Sequence, residues 1–398
     1  MRRRTFPWML LLLVAAAVLA FTGVSALREG GLLLPEQWAE EITTLPPVVL
    51  PAQLARAGQL RYHYGALSES EQAAYDDILE RLPGFPDSIK VKNLNVESIE
   101  RVFSALVMDQ PLLFQISTVY YNTRSNASGL VTAFLPRYNM DRETYAARCE
   151  ELAQVCESFT VPQGGTDFDC ELALHDQLVR LCSYSAEFTK PEKSTAYGAL
   201  VEGSASCEGY SRAMQLLLDL QGIPCYIVTG KAGGTDGDAE NHAWNKVRIG
   251  GEWYHLDATW DDPVTKDNVN ITSHAYFNLT DREMGLTHEI KDAQNPCTAL
   301  GANYYVRKGL HFTTLDRAAE DTIAKALRAA MGADANAVEL RFSDAIALEE
   351  GLDYLVKKQR VYRILGNAAL DSFSIKTDTV YCYDVAPLAV VRIVPIKK

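Results

Sequence analysis

Three residues in one stretch of the chain have the side-chain types that nucleophilic acyl chemistry needs. Cys207 stands at the start of a predicted helix, where unpaired backbone N–H groups and the helix dipole favour a thiolate. His242 and Asp257 lie on two runs of alternating residues that meet at Gly250-Gly251, a sequence typical of a tight hairpin. A thiol, an imidazole and a carboxylate in contact can attack an acyl carbon, form a thioester and pass the acyl group to water or an amine.

The hairpin allows a geometric test of this idea. If its two glycines form a two-residue turn, Trp244 faces Asp257, and His242 lies diagonally from Asp257 on the same face of the sheet. Their Cβ atoms would then be roughly 7 Å apart, within reach of an imidazole–carboxylate hydrogen bond. His255 competes for this role, because it precedes Asp257 by two residues, and a one-residue register slip would move His242 to the other face. The residue pattern alone leaves both histidines open.

The predicted helix that begins with Cys207 must present the thiol to this hairpin. Ser204 or Ser206 is a candidate cap at its start, and Gly222 is typical of a residue that ends a helix. The Cys207 backbone N–H is then available as an oxyanion donor. A strand is predicted at 223–229, and a Gly- and Asp-rich loop at 230–241 leads into the hairpin.

The region before this core is predicted to be mainly helical. Capping signals at Ser68 and Asn95 open two helices, a β-hairpin is predicted across 114–135, and two more helices across 141–157 and 167–184. His175 falls on the apolar face of the last helix and is expected to be a core residue rather than a ligand.

A small α+β unit without chemical motifs is predicted after residue 308. Helices are expected at 315–331 and 344–356, and strands at 338–342, 360–364, 379–385 and 388–395.

The N-terminal residues indicate export. Arg2 to Arg4 precede an apolar run at 6–24, and small residues follow at Val24-Ser25-Ala26, as in a cleaved signal peptide. The run is also close to the roughly 20 residues that span a bilayer, so a retained membrane anchor through residues 6–26 is the alternative. Both alternatives predict an exported chain, either secreted or held at the outer face of the cytoplasmic membrane.

Composition limits the function classes. The 398 residues are 47% hydrophobic and 22% charged, which is typical of two or three globular domains. The net charge is −13, and loss of the three N-terminal arginines takes it to −16, so nucleic acid is an unexpected partner. The eight cysteines include no CxxC pair; we therefore expect no metal or other cofactor and mostly free, buried thiols.

Three segments resemble the core motifs of the transglutaminase-like superfamily, whose core is similar to that of papain-type cysteine proteases. They are Gly203-Ser204-Ala205-Ser206-Cys207-Glu208-Gly209-Tyr210, Asn241-His242-Ala243-Trp244-Asn245 and the ten residues from Trp253 to Asp262. The resemblance covers roughly residues 165–305, ending near Asn303-Tyr304-Tyr305. It implies Cys207 as nucleophile, His242 rather than His255 as general base, and Asp257 as the residue that orients it.

One departure bears on the reaction. Animal transglutaminases place a tryptophan upstream of the nucleophile to stabilise the oxyanion, but here no tryptophan lies between Trp38 and Cys207. Tyr197 is the nearby substitute, and Ser206 and Trp244 are the other candidate cleft residues. Hydrolysis of an amide is therefore at least as plausible as cross-linking.

The sequence thus predicts an α+β fold with a papain- or transglutaminase-like core, in which a catalytic helix packs on an antiparallel sheet. The predicted segments are a signal peptide or anchor (1–26), a linker (27–60), a mainly helical region with a β-hairpin (61–164), the catalytic core (165–308) and the C-terminal unit (309–398). The predicted function is cysteine-dependent acyl transfer on protein or cell-wall peptide. The alternative is a non-catalytic binding or adaptor module that keeps the fold.

Overall fold

A computed structural model describes residues 46–397 apart from 188, 234–238, 263–271, 333–336, 369–372 and 374. The predicted signal peptide or anchor lies outside the described residues. Of the predicted linker, 46–60 is described, and Val48 and Leu54 in it are buried against the hydrophobic core. This part of the linker therefore packs on the body of the protein. Within the described ranges, no helix is long and apolar enough to cross a membrane.

The N-terminal region is two helices packed on a three-stranded antiparallel sheet of order β1-β3-β2. The predicted caps are present: Ser68 and Glu71 form a capping box, and the Asn95 side chain accepts a hydrogen bond from the Ser98 amide. The elements are α1 (Glu69–Arg81), β1 (Ile89–Leu94), α2 (Val96–Asp109), β2 (Ile116–Ser125) and β3 (Val131–Tyr138).

Four helices then lead to the first candidate residue. A short parallel pair of strands, β4 and β5, precedes the last of them. That helix begins with Cys207, has Ser206 at its N-cap and ends at Gly222, where φ is 76°. The elements are α3 (Arg142–Ser158), α4 (Asp167–Leu181), β4 (Ser183–Tyr184), α5 (Ala196–Leu200), β5 (Ser204–Ala205) and α6 (Cys207–Gln221).

The core sheet has five antiparallel strands in the order β10-β6-β7-β8-β9. The predicted two-glycine turn joins β7 to β8, with Ile249 opposite Glu252 and Asn245 opposite Leu256. The elements are β6 (Cys225–Ala232), β7 (Glu240–Ile249), β8 (Glu252–Leu256), β9 (Phe277–Leu279), α7 (Asp281–Met284) and β10 (His288–Ile290).

Strand β8 ends four residues earlier than the alternating pattern predicts. The prediction that Trp244 pairs with Asp257 is wrong, because the chain turns away from β7 after Leu256. The Asp257 amide instead donates to the Tyr276 carbonyl at 3.1 Å. One oxygen of the Asp257 side chain accepts the amides of Thr259 and Trp260 at 3.0 and 3.2 Å, which closes a turn.

The described part of the C-terminal unit is a four-stranded sheet of order β11-β12-β14-β13 with three helices, and a short fourth helix, α8, leads into it. The prediction of a strand at 360–364 is wrong: this segment is helical, with Val361, Ile364 and Leu365 buried at the i, i+3, i+4 spacing of a helix. The elements are α8 (Tyr304–Lys308), β11 (His311–Phe312), α9 (Arg317–Gly332), β12 (Val338–Phe342), α10 (Ala345–Leu352), α11 (Arg360–Asn367), β13 (Ile375–Val385) and β14 (Val390–Lys397).

The core sheet is covered on both faces. Cys225, Val247 and Leu256 pack with the helices α3 to α6, whereas Tyr226 and Trp244 pack with the C-terminal unit. The fold is therefore α+β, with α6 packed on the antiparallel sheet as the sequence predicts. The proposed segment boundaries stay a prediction.

The buried Glu339 of β12 links the C-terminal unit to the core through hydrogen bonds. Its carboxylate accepts hydrogen bonds from the Ser273 hydroxyl and the His274 amide, both at 2.9 Å, and from the Tyr305 hydroxyl at 2.8 Å. The guanidinium of Arg392 on β14 balances its charge.

Candidate active site

Cys207 lies at the N-terminal end of α6, with 8% of its surface exposed. Gly209 lets this end of the helix come close to the preceding chain, because a Cβ there would meet the Lys193 carbonyl oxygen at 2.5 Å and the Ala205 Cβ at 2.6 Å. From the sheet, the buried Asn245 amide donates to the Ser211 carbonyl at 3.0 Å. These contacts fix the start of α6 against β7.

His242 and Asp257 are hydrogen-bonded to each other. Nε2 of His242 lies 2.7 Å from Oδ2 of Asp257, although Asp257 lies in the turn after β8 rather than in the strand. The carboxylate is buried and the imidazole side chain is 9% exposed. The predicted contact between His242 and Asp257 is therefore present, and the predicted hairpin register is correct, but strand pairing ends one residue before Asp257.

Charge and burial set the protonation of this pair. Burial by itself lowers the pKa of His242, but the Asp257 charge and hydrogen bond, together with the Cys207 side chain, outweigh it and raise the pKa to about 10. Burial alone would raise the pKa of Asp257, yet the His242 imidazole and a hydrogen bond from His288 hold it well below its usual range. The pair is an imidazolium facing a carboxylate at neutral pH.

His255, the competing histidine, is bonded elsewhere. Its Nδ1 accepts the indole N–H of Trp244 at 2.9 Å, and its Nε2 lies 2.8 Å from Oδ1 of Asp281. Its side chain is fully buried, and burial lowers its pKa. The two histidines therefore have different partners: His242 contacts Asp257, whereas His255 accepts a hydrogen bond from Trp244.

Two cavities meet at Cys207 and His242. One has a volume of about 360 Å³ and is lined mainly by Tyr184, Trp260, Glu240 and Asp262; the other, of about 210 Å³, includes Glu208 and Lys291 in its wall. Cys207 therefore lines two adjoining cavities.

The three weaker cleft candidates take supporting positions. The Tyr197 hydroxyl donates to Glu151 at 2.5 Å, and Tyr197 is not among the described residues that line either cavity. Ser206 is buried and its hydroxyl donates to the Lys193 carbonyl at 3.2 Å. Trp244 is 1% exposed, with its ring roughly parallel to His242 at a centroid distance of 6.1 Å. The hydroxyls of Tyr197 and Ser206 thus donate to other groups of the protein, and the cleft roles of Tyr197, Ser206 and Trp244 stay predictions.

Sequence reasoning missed His288. Its Nε2 lies 3.1 Å from the same Asp257 oxygen that His242 contacts, and its side chain is fully buried. It lies on the short strand β10, outside the three motifs, and no spacing pattern pointed to it. Tyr184, on the two-residue strand β4, was also missed as a lining residue of the larger cavity.

His175 is a buried, paired core residue, as expected. Its two ring nitrogens lie 3.1 Å from Asp176 and 3.2 Å from Asp261. Burial by itself lowers its pKa, but the two carboxylates raise it to about 9. Because Asp261 follows Trp260 in the turn after β8, this ion pair anchors the wall of the larger cavity.

The seven cysteines other than Cys207 are also unpaired, and burial raises the pKa of each of them. They therefore remain thiols at neutral pH and are poor nucleophiles.

Three clusters in the described ranges contain side chains of the types that ligate metals. They are His175, Asp176 and His274; His242, Asp257 and His288; and His255, Asp281 and Cys297. In each cluster an imidazole nitrogen lies 2.7 or 2.8 Å from a carboxylate oxygen, which is a hydrogen bond. The expectation of no metal cofactor stays a prediction.

Part of the chain is similar to a known family. Residues 144–258 match the model of the transglutaminase-like superfamily. Over 101 residues the chain is 27% identical to human kyphoscoliosis peptidase; the match covers 23% of the chain but only 15% of that protein.

Two solved structures were also matched. One is described as a TGase (17% identity, 37% of this chain and 45% of that one, TM-score 0.27). The other is the periplasmic domain of TgpA from Pseudomonas aeruginosa (18% identity, 35% and 60%, TM-score 0.19).

Cys207, His242 and Asp257 all fall within the part of the chain that is similar to the transglutaminase-like superfamily. Proteins of this superfamily are typically cysteine-dependent enzymes.

Proposed function

We propose that this protein is an exported enzyme that cleaves or exchanges peptide or amide bonds through Cys207, in protein or in cell-wall peptide. The observation that carries the proposal is the 2.7 Å bond between His242 and Asp257 at a cavity that Cys207 also lines. A thiol at a helix N-terminus beside a protonated, carboxylate-bound imidazole is suited to nucleophilic acyl transfer.

The reaction proceeds in two steps. The Cys207 sulfur attacks the carbonyl carbon as a thiolate, the C–S bond forms, and the C–N bond breaks as the His242 imidazolium gives its proton to the leaving amine. Water or another amine then attacks the thioester and gives its proton to His242, and the thiolate leaves. Asp257 keeps the imidazole in the Nε2–H tautomer, since its carboxylate only accepts. The first-turn amides of α6 are the available oxyanion donors.

The walls of the larger cavity bear on substrate choice. Tyr184 and Trp260 offer aromatic faces, Glu240 and Asp262 offer carboxylates, and no Lys or Arg is among its described lining residues. Burial raises the pKa of Asp262, whose Oδ2 accepts the Tyr210 hydroxyl. We therefore infer a preference for substrates with a basic or neutral side chain here over acidic ones.

The test is to trap the acyl-enzyme. The protein is incubated with peptide and peptidoglycan-fragment mixtures, quenched in acid and analysed by mass, and we expect an added acyl group on Cys207. The Cys207→Ala variant is the negative control, and Cys182→Ala, at a buried cysteine with a pKa of about 12, is the matched control that should still be acylated. Acylation that persists in Cys207→Ala would contradict the proposal.

The second candidate is a binding or adaptor module that has kept the fold. A chain that binds peptide but forms no thioester on Cys207 and releases no product would favour it.

Export has its own test. After expression of the full chain in a bacterial host, the N-terminal sequence of the exported protein should begin near residue 27 if the signal peptide is cleaved. An uncleaved, membrane-bound product would favour the anchor.

A further inference from the structure

His288 contacts the Asp257 carboxylate from a strand that carries none of the motif residues. It lies on β10, at the edge of the core sheet, where it pairs with Ala232 of β6. Oδ2 of Asp257 thus lies within hydrogen-bond distance of two imidazoles, 2.7 Å from Nε2 of His242 and 3.1 Å from Nε2 of His288.

The other Asp257 oxygen is also occupied. Oδ1 accepts the backbone amides of Thr259 and Trp260 at 3.0 and 3.2 Å. The carboxylate is therefore fixed from three directions: the turn that follows it, His242, and His288. The turn after β8 binds only Oδ1. The contact between His288 and Oδ2 therefore fixes the rotation of the carboxylate group and keeps Oδ2 directed at His242.

Both ring nitrogens of His288 have a partner. Nε2 faces Oδ2 of Asp257, and because a carboxylate only accepts, this nitrogen carries a proton; Nδ1 lies 2.9 Å from the Thr287 hydroxyl. The rings of Trp244, Trp260 and Tyr276 surround the imidazole at centroid distances of 5.1, 4.7 and 5.6 Å. The side chain is fully buried, so no water competes for that N–H.

We propose that His288 is a positioning residue for this site: as an N–H donor to Oδ2 it aims the Asp257 carboxylate at His242. The inference rests on the proposed function, since it concerns the residue that orients the general base.

The experiment compares two replacements of His288 that differ in one property. His288→Gln keeps an N–H donor near the position of Nε2, whereas His288→Leu keeps the buried volume and removes the donor. The readout is the rate constant for alkylation of Cys207 by iodoacetamide at neutral pH, followed by peptide mass. We expect His288→Leu to lower the rate about tenfold, as loss of a hydrogen bond to a buried charge would, and His288→Gln to stay within about threefold of wild type. His311→Leu, at an exposed histidine of β11, is the control that should leave the rate unchanged.

The outcomes separate the two proposals. If wild-type Cys207 is not the reactive thiol, the proposed function fails. If Cys207 reacts and the Leu and Gln variants alkylate at the same rate, His288 contributes only packing against the surrounding aromatic rings, and the inference is overturned. Should the Leu variant fail to fold, the wild-type ring decides: ¹⁵N NMR should show a proton on Nε2 of His288, and an Nε2 without a proton would overturn the inference.

Discussion

Replacing Asp257 with asparagine removes one charge from the site and changes little else. The amide oxygen of the new side chain can still accept the amides of Thr259 and Trp260, so the turn after β8 is retained. The side-chain NH₂ then faces His242, where the carboxylate oxygen had accepted a hydrogen bond. Asp257→Asn therefore removes both the charge that favours the imidazolium and the acceptor that fixes the Nε2–H tautomer.

The size of the effect follows from the pKa of His242. Burial lowers this pKa, and Asp257 is the main group that raises it from the ordinary value of 6.5 to about 10. Without Asp257 we expect it to fall by about three units, which is about 4 kcal/mol at roughly 1.36 kcal/mol per unit. Because folding raises the pKa of His242, protonation of this residue stabilises the folded state. The contribution is complete at pH values below the pKa of histidine in the unfolded chain, and it is lost as the pH rises through about 10. Asp257→Asn should thus cost most stability in acidic and neutral solution.

The assay is an NMR titration of the histidine rings, with His242→Gln used to assign the resonance. Asp281→Asn is a matched control, because it makes the same chemical change at the other imidazole–carboxylate pair of the sheet, that of His255. Wild type and the control should keep His242 protonated at pH 8, and Asp257→Asn should not. A His242 pKa that stays near 10 in Asp257→Asn, or falls equally in Asp281→Asn, would refute the reasoning.

Three further predictions concern the surroundings of the site. Gly230→Ala should destabilise the protein by about 1–3 kcal/mol in urea unfolding, because its Cβ would lie 2.2 Å from the Glu289 carbonyl oxygen and push β10 from β6; an unchanged midpoint would contradict this. His175→Leu leaves Asp261 buried without its partner and should cost about 3–5 kcal/mol by the same measurement; a loss below about 1 kcal/mol would show that the pair is not structural. Glu240→Lys should reduce cleavage of peptides with basic side chains relative to neutral ones, and an unaltered ratio of kcat/KM values would exclude a role for this carboxylate.

The sequence predicted backbone conformation well where local rules determine it. The glycine that ends α6, the two-glycine turn and the Asn95 cap each specify a short backbone conformation, and all were correct. The contact between His242 and Asp257 also appeared, even though β8 ends before Asp257. The Asp257 side chain still reaches His242 although its backbone has left the strand, whereas a backbone pair between Trp244 and Asp257 needs both residues in the sheet.

The remaining features depend on contacts between distant segments. His288 reaches Asp257 only because β10 pairs with β6, and a three-residue strand has too short a pattern to predict from sequence. The segment at 360–364 has the β-branched residues Val361 and Ile364, which favour a strand, but burial of one helical face against the C-terminal core decides its structure. Tyr197 was proposed from its position in the sequence, whereas its hydroxyl is held by Glu151 of α3.

The central claim is that Cys207 is the nucleophile, and site-resolved alkylation tests it most directly. The folded protein is treated briefly with iodoacetamide at neutral pH, and every cysteine is then quantified by peptide mass. We predict that Cys207 is modified first, that the other seven cysteines, five buried and two half-buried and all with a raised pKa, react more slowly, and that Asp257→Asn slows the reaction of Cys207. Preferential modification of any other cysteine, or a Cys207 that reacts no faster than the rest, would contradict the account.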